Sequence, residues 1–432
     1  KDGKSVVIAI GVGDAGLDVA RLRDAAAAFA RAASRQSHLA TGLADVASGV
    51  APAAAAQAVT EGVLLARYRY EQLKSKKSGV PLEQLTLVTT AERAKAETAG
   101  AKSGQTMALA AMLARDLANA PAKELPATRM AEIAESVARD RGLQVEVFGK
   151  ADLEKMGCGG ILGVNAGSTE PPRMVKLTYK PKGGKGKGGH LAMVGKGIMY
   201  DSGGINLKPA QGMQLFMKMD MAGAAAVLGA MSVLRDLDCP NTVTAFLMCT
   251  DNMPSGSATK MGDVLTQRNG KTVEIHNTDA EGRLILADGL ALAAEMKPDA
   301  IINIGTLTGA ILAALGELLT GVFSNSDAFA AQVQASASRT DETIWRMPLD
   351  RRYRKQIDSA IADLKNMGDA QPGSITAALY LEEFVDGIPW THFDICGTMK
   401  SDTDDSWRSK GATGVGARLL ADLAVNFAPP RR

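Results

Sequence analysis

The nine residues His276-Asn277-Thr278-Asp279-Ala280-Glu281-Gly282-Arg283-Leu284 constrain this chain more than any other stretch, because they join two unlike periodicities. Upstream, Lys271-Thr272-Val273-Glu274-Ile275 alternates as a half-buried strand does. Downstream, Leu284, Leu286, Ala287, Leu290, Ala291 and Ala294 recur at helical spacing. Read as extended backbone, the segment between them points Asp279, Glu281 and Arg283 to one side. Two acids so placed repel each other unless a cation holds them together.

The same alternation of strand and helix runs along most of the chain. Val6 to Ile10 reads as a strand, Leu22 to Arg35 and Thr60 to Ser75 as helices, and Leu85 to Thr89 as another strand. From Ala91 to Ala120 nothing stops a helix before Pro121, a length that suits a connector between two domains. Then come a helix (Met130 to Arg141), strands (Gln144 to Phe148, Met174 to Tyr179, Leu191 to Val194), a helix (Ala222 to Leu234) and strands (Thr242 to Met248, Ala300 to Ile304). The pattern predicts an α/β fold with a mixed, mostly parallel sheet flanked by helices. The expected division is a smaller N-terminal α/β domain over 1–95, a connecting helix over 96–120 and a larger domain over 121–432.

Composition excludes some classes. Forty-nine basic residues against 47 acidic ones give no call for a polyanionic partner. The glycine- and lysine-rich run Pro181 to Gly189 reads as a basic loop between two strands. No apolar run approaches the roughly 20 residues of a membrane span. The start, Lys1 to Ser5, has neither a signal-peptide core nor an initiator Met, which points to processing or truncation. Cys158, Cys239, Cys249 and Cys396 lack CxxC spacing and read as reduced, buried thiols of a cytoplasmic protein.

A second polar concentration follows the apolar strand Leu191 to Val194, which places Lys196 and Asp201 where a buried strand ends. Ligands of open α/β sheets bind at that edge. Lys208 and Asp220 follow, the latter just before the small-residue helix start Met221-Ala222-Gly223-Ala224-Ala225. Each aspartate alone reads better as a helix or turn cap. Asp201, Asp220, Asp279 and Glu281 together, interleaved with two lysines, need cationic compensation, which two divalent metals supply. The lysines are either salt-bridge partners or, with a depressed pKa, ligands. No HExxH occurs, and His276 reads as packing rather than as a ligand. Arg283, at a helix N-terminus, either holds an anion bidentately or pairs with a cluster acid.

These residues resemble the leucyl aminopeptidases, the cytosolic dimetal aminopeptidase family that includes bacterial aminopeptidase A. Asn277 to Leu284 matches the family signature in full. Agreement continues through Gly195-Lys196-Gly197-Ile198, Asp201-Ser202-Gly203-Gly204, Asp220-Met221, Thr306-Leu307-Thr308-Gly309-Ala310 and Gly411-Ala412-Thr413-Gly414. The resemblance covers roughly Asp116 to the C-terminus. It is thinner in the N-terminal third, which is short for the family and offers only Glu61-Gly62 and Arg67-Tyr68. Tyr200 stands where the family often has Phe, and Met261 where Pro is common.

The resemblance implies a metal-dependent exopeptidase that releases N-terminal, leucine-like residues by attack of a metal-bridging water. Asp201 and Glu281 would bridge two ions, Zn²⁺ or Mn²⁺. Asp279 would complete the more exchangeable site, and Lys196 with Asp220 the tighter one. Lys208 would stabilise the oxyanion, and Arg283 would hold a bicarbonate that serves as general base. Met217, Asn277, Ala280, Thr306 and Gly309 would line the pocket for the first side chain. It also implies a hexamer acting on peptides in the cytoplasm.

Three other readings compete. Gly11, Gly13 and Gly16 spell a dinucleotide-binding GxGxxG after Val6 to Ile10, but no acid-ending strand follows at the required distance. Some bacterial relatives bind DNA, a role the near-neutral charge does not support here. An Asp-rich two-metal site also suits phosphoryl transfer; Lys196, Lys208 and the complete signature argue against it.

Overall fold

The computed structural model describes residues 6–13, 16–181 and 188–430. Lys1 to Ser5, Asp14 and Ala15 of the glycine motif, and most of the basic loop lie outside them.

The N-terminal part packs α1 (Val19–Ala32) and α2 (Pro52–Arg67) beside a two-stranded parallel sheet of β1 (His38–Thr41) and β2 (Gln84–Leu87). Asp18 caps α1 by accepting from Arg21 N at 2.8 Å, and Pro52 opens α2 at its first turn, so both helices begin before the expected residues. Val6 to Ile10 is not a strand: no other described strand pairs with it. The strand lies instead at His38–Thr41, where no strand was expected. α3 (Ala91–Asn119) then runs as one helix against α2.

The larger sheet uses β3 (Gln144–Phe148), β4 (Arg173–Tyr179), β5 (His190–Asp201) and β6 (Thr242–Asn252), and then β9 (Ala300–Gly305), β10 (Thr320–Ser324), β11 (Ile344–Arg346) and β13 (Trp390–Asp394). The order is β11-β10-β13-β9-β5-β6-β4-β3. Its centre, β13-β9-β5-β6, is parallel, while the β3 side and the β10–β13 pair are antiparallel. A small sheet orders β7 (Val264–Thr266), β8 (Thr272–Glu274) and β12 (Leu364–Lys365) as β12-β8-β7.

Alternation along β5 feeds two apolar layers. Leu191, Met193 and Met199 pack with α3, α4 (Ala127–Arg141) and α7 (Ala222–Met231). Ala192, Val194 and Ile198 pack with α6 (Gly159–Asn165), which follows α5 (Lys150–Met156), and with α8 (Gly282–Glu295). A parallel strand covered on both faces must be apolar throughout, as β5 is from Leu191 up to Lys196. The four cysteines are free; three are buried and Cys396 is partly exposed, a correction to the sequence reading. Among the described residues no helix is long and apolar enough to cross a membrane.

Candidate active site

β5 does not stop at Val194. It pairs with β6 as far as Asp201↔Asn252, so Lys196 lies within the strand and only Asp201 at its end. Gly195 and Gly197 lie inside the strand and mark close packing: a Cβ on Gly195 would lie 2.6 Å from Ala224 Cα. Lys196 and Asp201 are five positions apart and would face opposite sides of a regular strand. Between Ile198↔Thr250 and Asp201↔Asn252, β5 spends three residues where β6 spends two. This bulge turns Asp201 back to the side of Lys196.

Lys196 Nζ lies 2.8 Å from Asp220 Oδ2, 2.7 Å from Glu281 Oε1 and 2.7 Å from the Thr306 carbonyl. Lys208 Nζ lies 2.9 Å from Asp201 Oδ2 and also contacts Asp279. Asp201, Asp220 and Glu281 each offer an oxygen within 4.8 Å of the others, and all three are buried. Asp279 joins them through Lys208 rather than directly. The loops that bring them together need glycine in places. Gly203 has φ +90°, and a Cβ there would also meet the Asn206 carbonyl at 2.3 Å.

The charges compete for too few partners. Burial, and then the Glu281 carboxylate, push Asp201 up to about 6, and burial raises Asp220 well above its usual range. Asp279 is raised for the same reason. For Glu281 burial acts upward, but Lys196 and Lys208 outweigh it and lower the value. Both ammoniums are held in the charged form: burial opposes it, yet the surrounding carboxylates win. Glu281 Oε2 is buried with no hydrogen-bond partner among the described residues.

The signature segment is a turn, not extended backbone, because Asn277 Oδ1 accepts from Asp279 N at 2.8 Å in an Asx turn. Arg283 forms no ion pair with the acids among the described residues. Its Nη1 donates to the Asn366 carbonyl at 2.7 Å, and its Nε is buried without a partner among the described residues. His276 is exposed and lies 3.1 Å from Glu274, so it is neither ligand nor packing.

The residues expected to line the pocket are placed unevenly. Thr306 joins the cluster through its carbonyl and through a hydroxyl donated to Asp220. Asn277 and Ala280 lie on the turn, and Met217 one short helical turn before Asp220. Gly309 is exposed at the start of α9 (Gly309–Leu315), and no hydrogen bond among the described residues ties it to the cluster.

Sequence reading missed the asparagines that hold the site. Asn252 Nδ2 donates to Asp201 Oδ1 at 2.9 Å and to the Thr278 carbonyl at 3.0 Å. Asn206 Oδ1 accepts from Thr278 N at 2.8 Å. Asn252 ends β6 at the edge where Asp201 ends β5, a signal that was available; Asn366 belongs to no motif.

The description "Cytosol aminopeptidase family, catalytic domain" matches residues 112–421, and "Cytosol aminopeptidase family, N-terminal domain" matches residues 1–77. A probable cytosol aminopeptidase of Nostoc punctiforme is 42% identical over 426 residues, 98% of this chain and 85% of that protein. One of Streptomyces avermitilis is 43% identical over 435 residues, 97% of this chain and 83% of that protein. Among solved structures, the bottromycin maturation enzyme BotP in complex with Mn has a TM-score of 0.91 at 38% identity, covering 98% of this chain and 91% of that one.

Proposed function

The chain belongs to the cytosol aminopeptidase family and is a metal-dependent hydrolase that releases N-terminal residues from peptides; on that premise we propose how its residues divide the work. Asp201 and Glu281 would serve both of two divalent ions, with Asp279 completing one site and Asp220 the other together with Lys196, whose ammonium would give up its proton to an entering cation. The observation that carries this reading is the convergence of Asp201, Asp220 and Glu281 within 4.8 Å around Lys196. Its donors fit metal ions: hard oxygens outnumber the ammoniums, and one Glu281 oxygen is buried without a partner. Zn²⁺ or Mn²⁺ suits that set, and Mn in the BotP complex supports the second.

When bound, such ions supply a water of lowered pKa and offset charge growing on the scissile carbonyl. The chain's own groups do the rest. Lys208, kept as an ammonium between Asp201 and Asp279, donates to the carbonyl oxygen as it becomes an oxyanion. Arg283, with its unpartnered Nε edge, would hold bicarbonate, which would supply a general base. Met217, Asn277, Ala280, Thr306 and Gly309 receive a leucine-like first side chain. The division into an N-terminal domain over 1–95, a connecting helix over 96–120 and a catalytic domain over 121–432 belongs to the same reading. So do a hexameric assembly and a cytoplasmic location, on family resemblance.

Hydrolysis of leucine p-nitroanilide against its N-acetyl form, before and after chelation and Mn²⁺ or Zn²⁺ return, tests the reading. Cleavage of the free amine alone, lost on chelation and restored by metal, is expected. Equal cleavage of the blocked substrate would refute exo-specificity.

A further inference from the structure

The turn that carries Asp279 and Glu281 leaves the β ladder just where its backbone is most enclosed. β8 pairs with β12 through Leu364↔Val273 and Lys365↔Glu274, and Asn366 N extends the pairing to the Glu274 carbonyl at 3.0 Å. Beyond that point the chain turns, so the next backbone groups have no strand to meet. One side chain meets them. Asn366 Oδ1 accepts from His276 N at 2.8 Å and Asn277 N at 3.2 Å. Its Nδ2 donates to the carbonyls of Asn277 at 2.6 Å and Ala280 at 3.4 Å. The amide thus stands in for one peptide unit of the interrupted strand. Its own backbone carbonyl takes Arg283 Nη1 at 2.7 Å.

We propose that Asn366 is the positioning residue for Asp279, Glu281 and Arg283, fixing the signature turn so that its two carboxylates and its guanidinium face the reacting groups together. The inference rests on the roles assigned above to those three residues. Asn366 is fully buried and touches both ends of the turn, while Asn206 and Asn252 hold its middle from the Asp201 side. A bare apolar side chain of the same shape would fill the space but leave two N–H groups and the Ala280 carbonyl unpaired, and the Asn277 carbonyl with only its 3.3 Å bond from Ala280 N. Small displacements of a catalytic carboxylate are expensive, and partners that orient metal ligands matter nearly as much as the ligands.

Asn366→Leu keeps the branched outline and removes every side-chain hydrogen bond; Asn366→Ser carries the same test should the bulkier Leu variant not fold. Three readings are taken: kcat and KM on leucine p-nitroanilide, Mn²⁺ affinity of chelated protein by calorimetry, and the unfolding temperature. A positioning role lowers kcat about 10- to 100-fold with KM within about threefold, and weakens Mn²⁺ binding about tenfold. Unchanged kcat and Mn²⁺ affinity overturn it, whether or not the unfolding temperature falls. A wild-type protein inert toward the anilide would defeat the functional reading instead, and the Mn²⁺ titration would still decide on Asn366.

Discussion

Arg418 places its Nη1 2.7 Å from Glu61 Oε2, joining the last helix of the chain to α2 across 357 positions of sequence. Arg23 of α1 reaches the same oxygen at 2.9 Å, and all three side chains are about 1% exposed. Trp407 lies beneath the Arg418 guanidinium at 4.3 Å. One carboxylate therefore neutralises two cations out of reach of water. Asp341 and Glu342 help only at 3.5 and 3.7 Å. Replacing Glu61 with Gln is expected to cost about 3 kcal/mol, because breaking a buried pair strands the remaining charge. Denaturant unfolding reads the change, and an unaltered midpoint would count against the cluster as an anchor.

Lys208→Ala removes the ammonium between Asp201 and Asp279. A loss of about 10²- to 10³-fold in kcat is expected, as for removal of one oxyanion donor, with the far-ultraviolet circular dichroism unchanged. Near-wild-type turnover would take the oxyanion role from Lys208.

Gly282→Ala sets stability against function. At the start of a helix, alanine is ordinarily the better residue by up to about 1 kcal/mol. Here its Cβ would lie 2.6 Å from Lys196 Cε and 2.7 Å from Nζ, and Lys196 is held by Asp220, Glu281 and the Thr306 carbonyl. Activity and Mn²⁺ affinity should fall about tenfold or more, out of proportion to any change in unfolding temperature. Full activity would show that Lys196 has room to move.

His392 supplies a pH dependence of definite sign. Burial, and then the Arg283 guanidinium, push the folded imidazole down to about 3, whereas an unfolded histidine titrates near 6.5. Below 6.5 the unfolded chain binds a proton that the folded one refuses. Stability from this group is thus present above 6.5 and lost progressively as pH falls toward 3, by at most about 1.4 kcal/mol per unit. The stability of wild type should drop more steeply from pH 6.5 to 4.5 than that of His392→Phe. Parallel pH profiles would remove His392 from the account.

How far the sequence could be read depended on how local each signal was. The strand–turn–helix seam at Asn277 to Leu284 was legible because periodicity switches there within a few residues. The strands from Gln144 to Ile304 were legible for the same reason, whereas Thr320–Ser324, Ile344–Arg346 and Trp390–Asp394 were not read as strands. Val6 to Ile10 had the residues of a strand but lacked a partner, and pairing is not a local property. The expectation of extended backbone through Asp279, Glu281 and Arg283 failed because an Asx turn replaces that geometry. Asn366 gave no signal at all. Its importance comes from standing opposite a turn 86 to 90 positions away, a distance no spacing rule spans.

The extra residue in β5 has a consequence for how this site can fail. Lys196 and Asp201 face each other only because the strand miscounts once against its neighbour between Ile198 and Asp201. Inserting one residue there, with the single bulge kept, would leave every ligating group chemically intact while aiming the Asp201 carboxylate into the apolar layer of Met193 and Met199. Deleting one would remove the bulge and keep Asp201 on the side of Lys196. Activity is thus encoded in an odd number as much as in a set of side chains. An insertion there should be more damaging than a substitution at Tyr200.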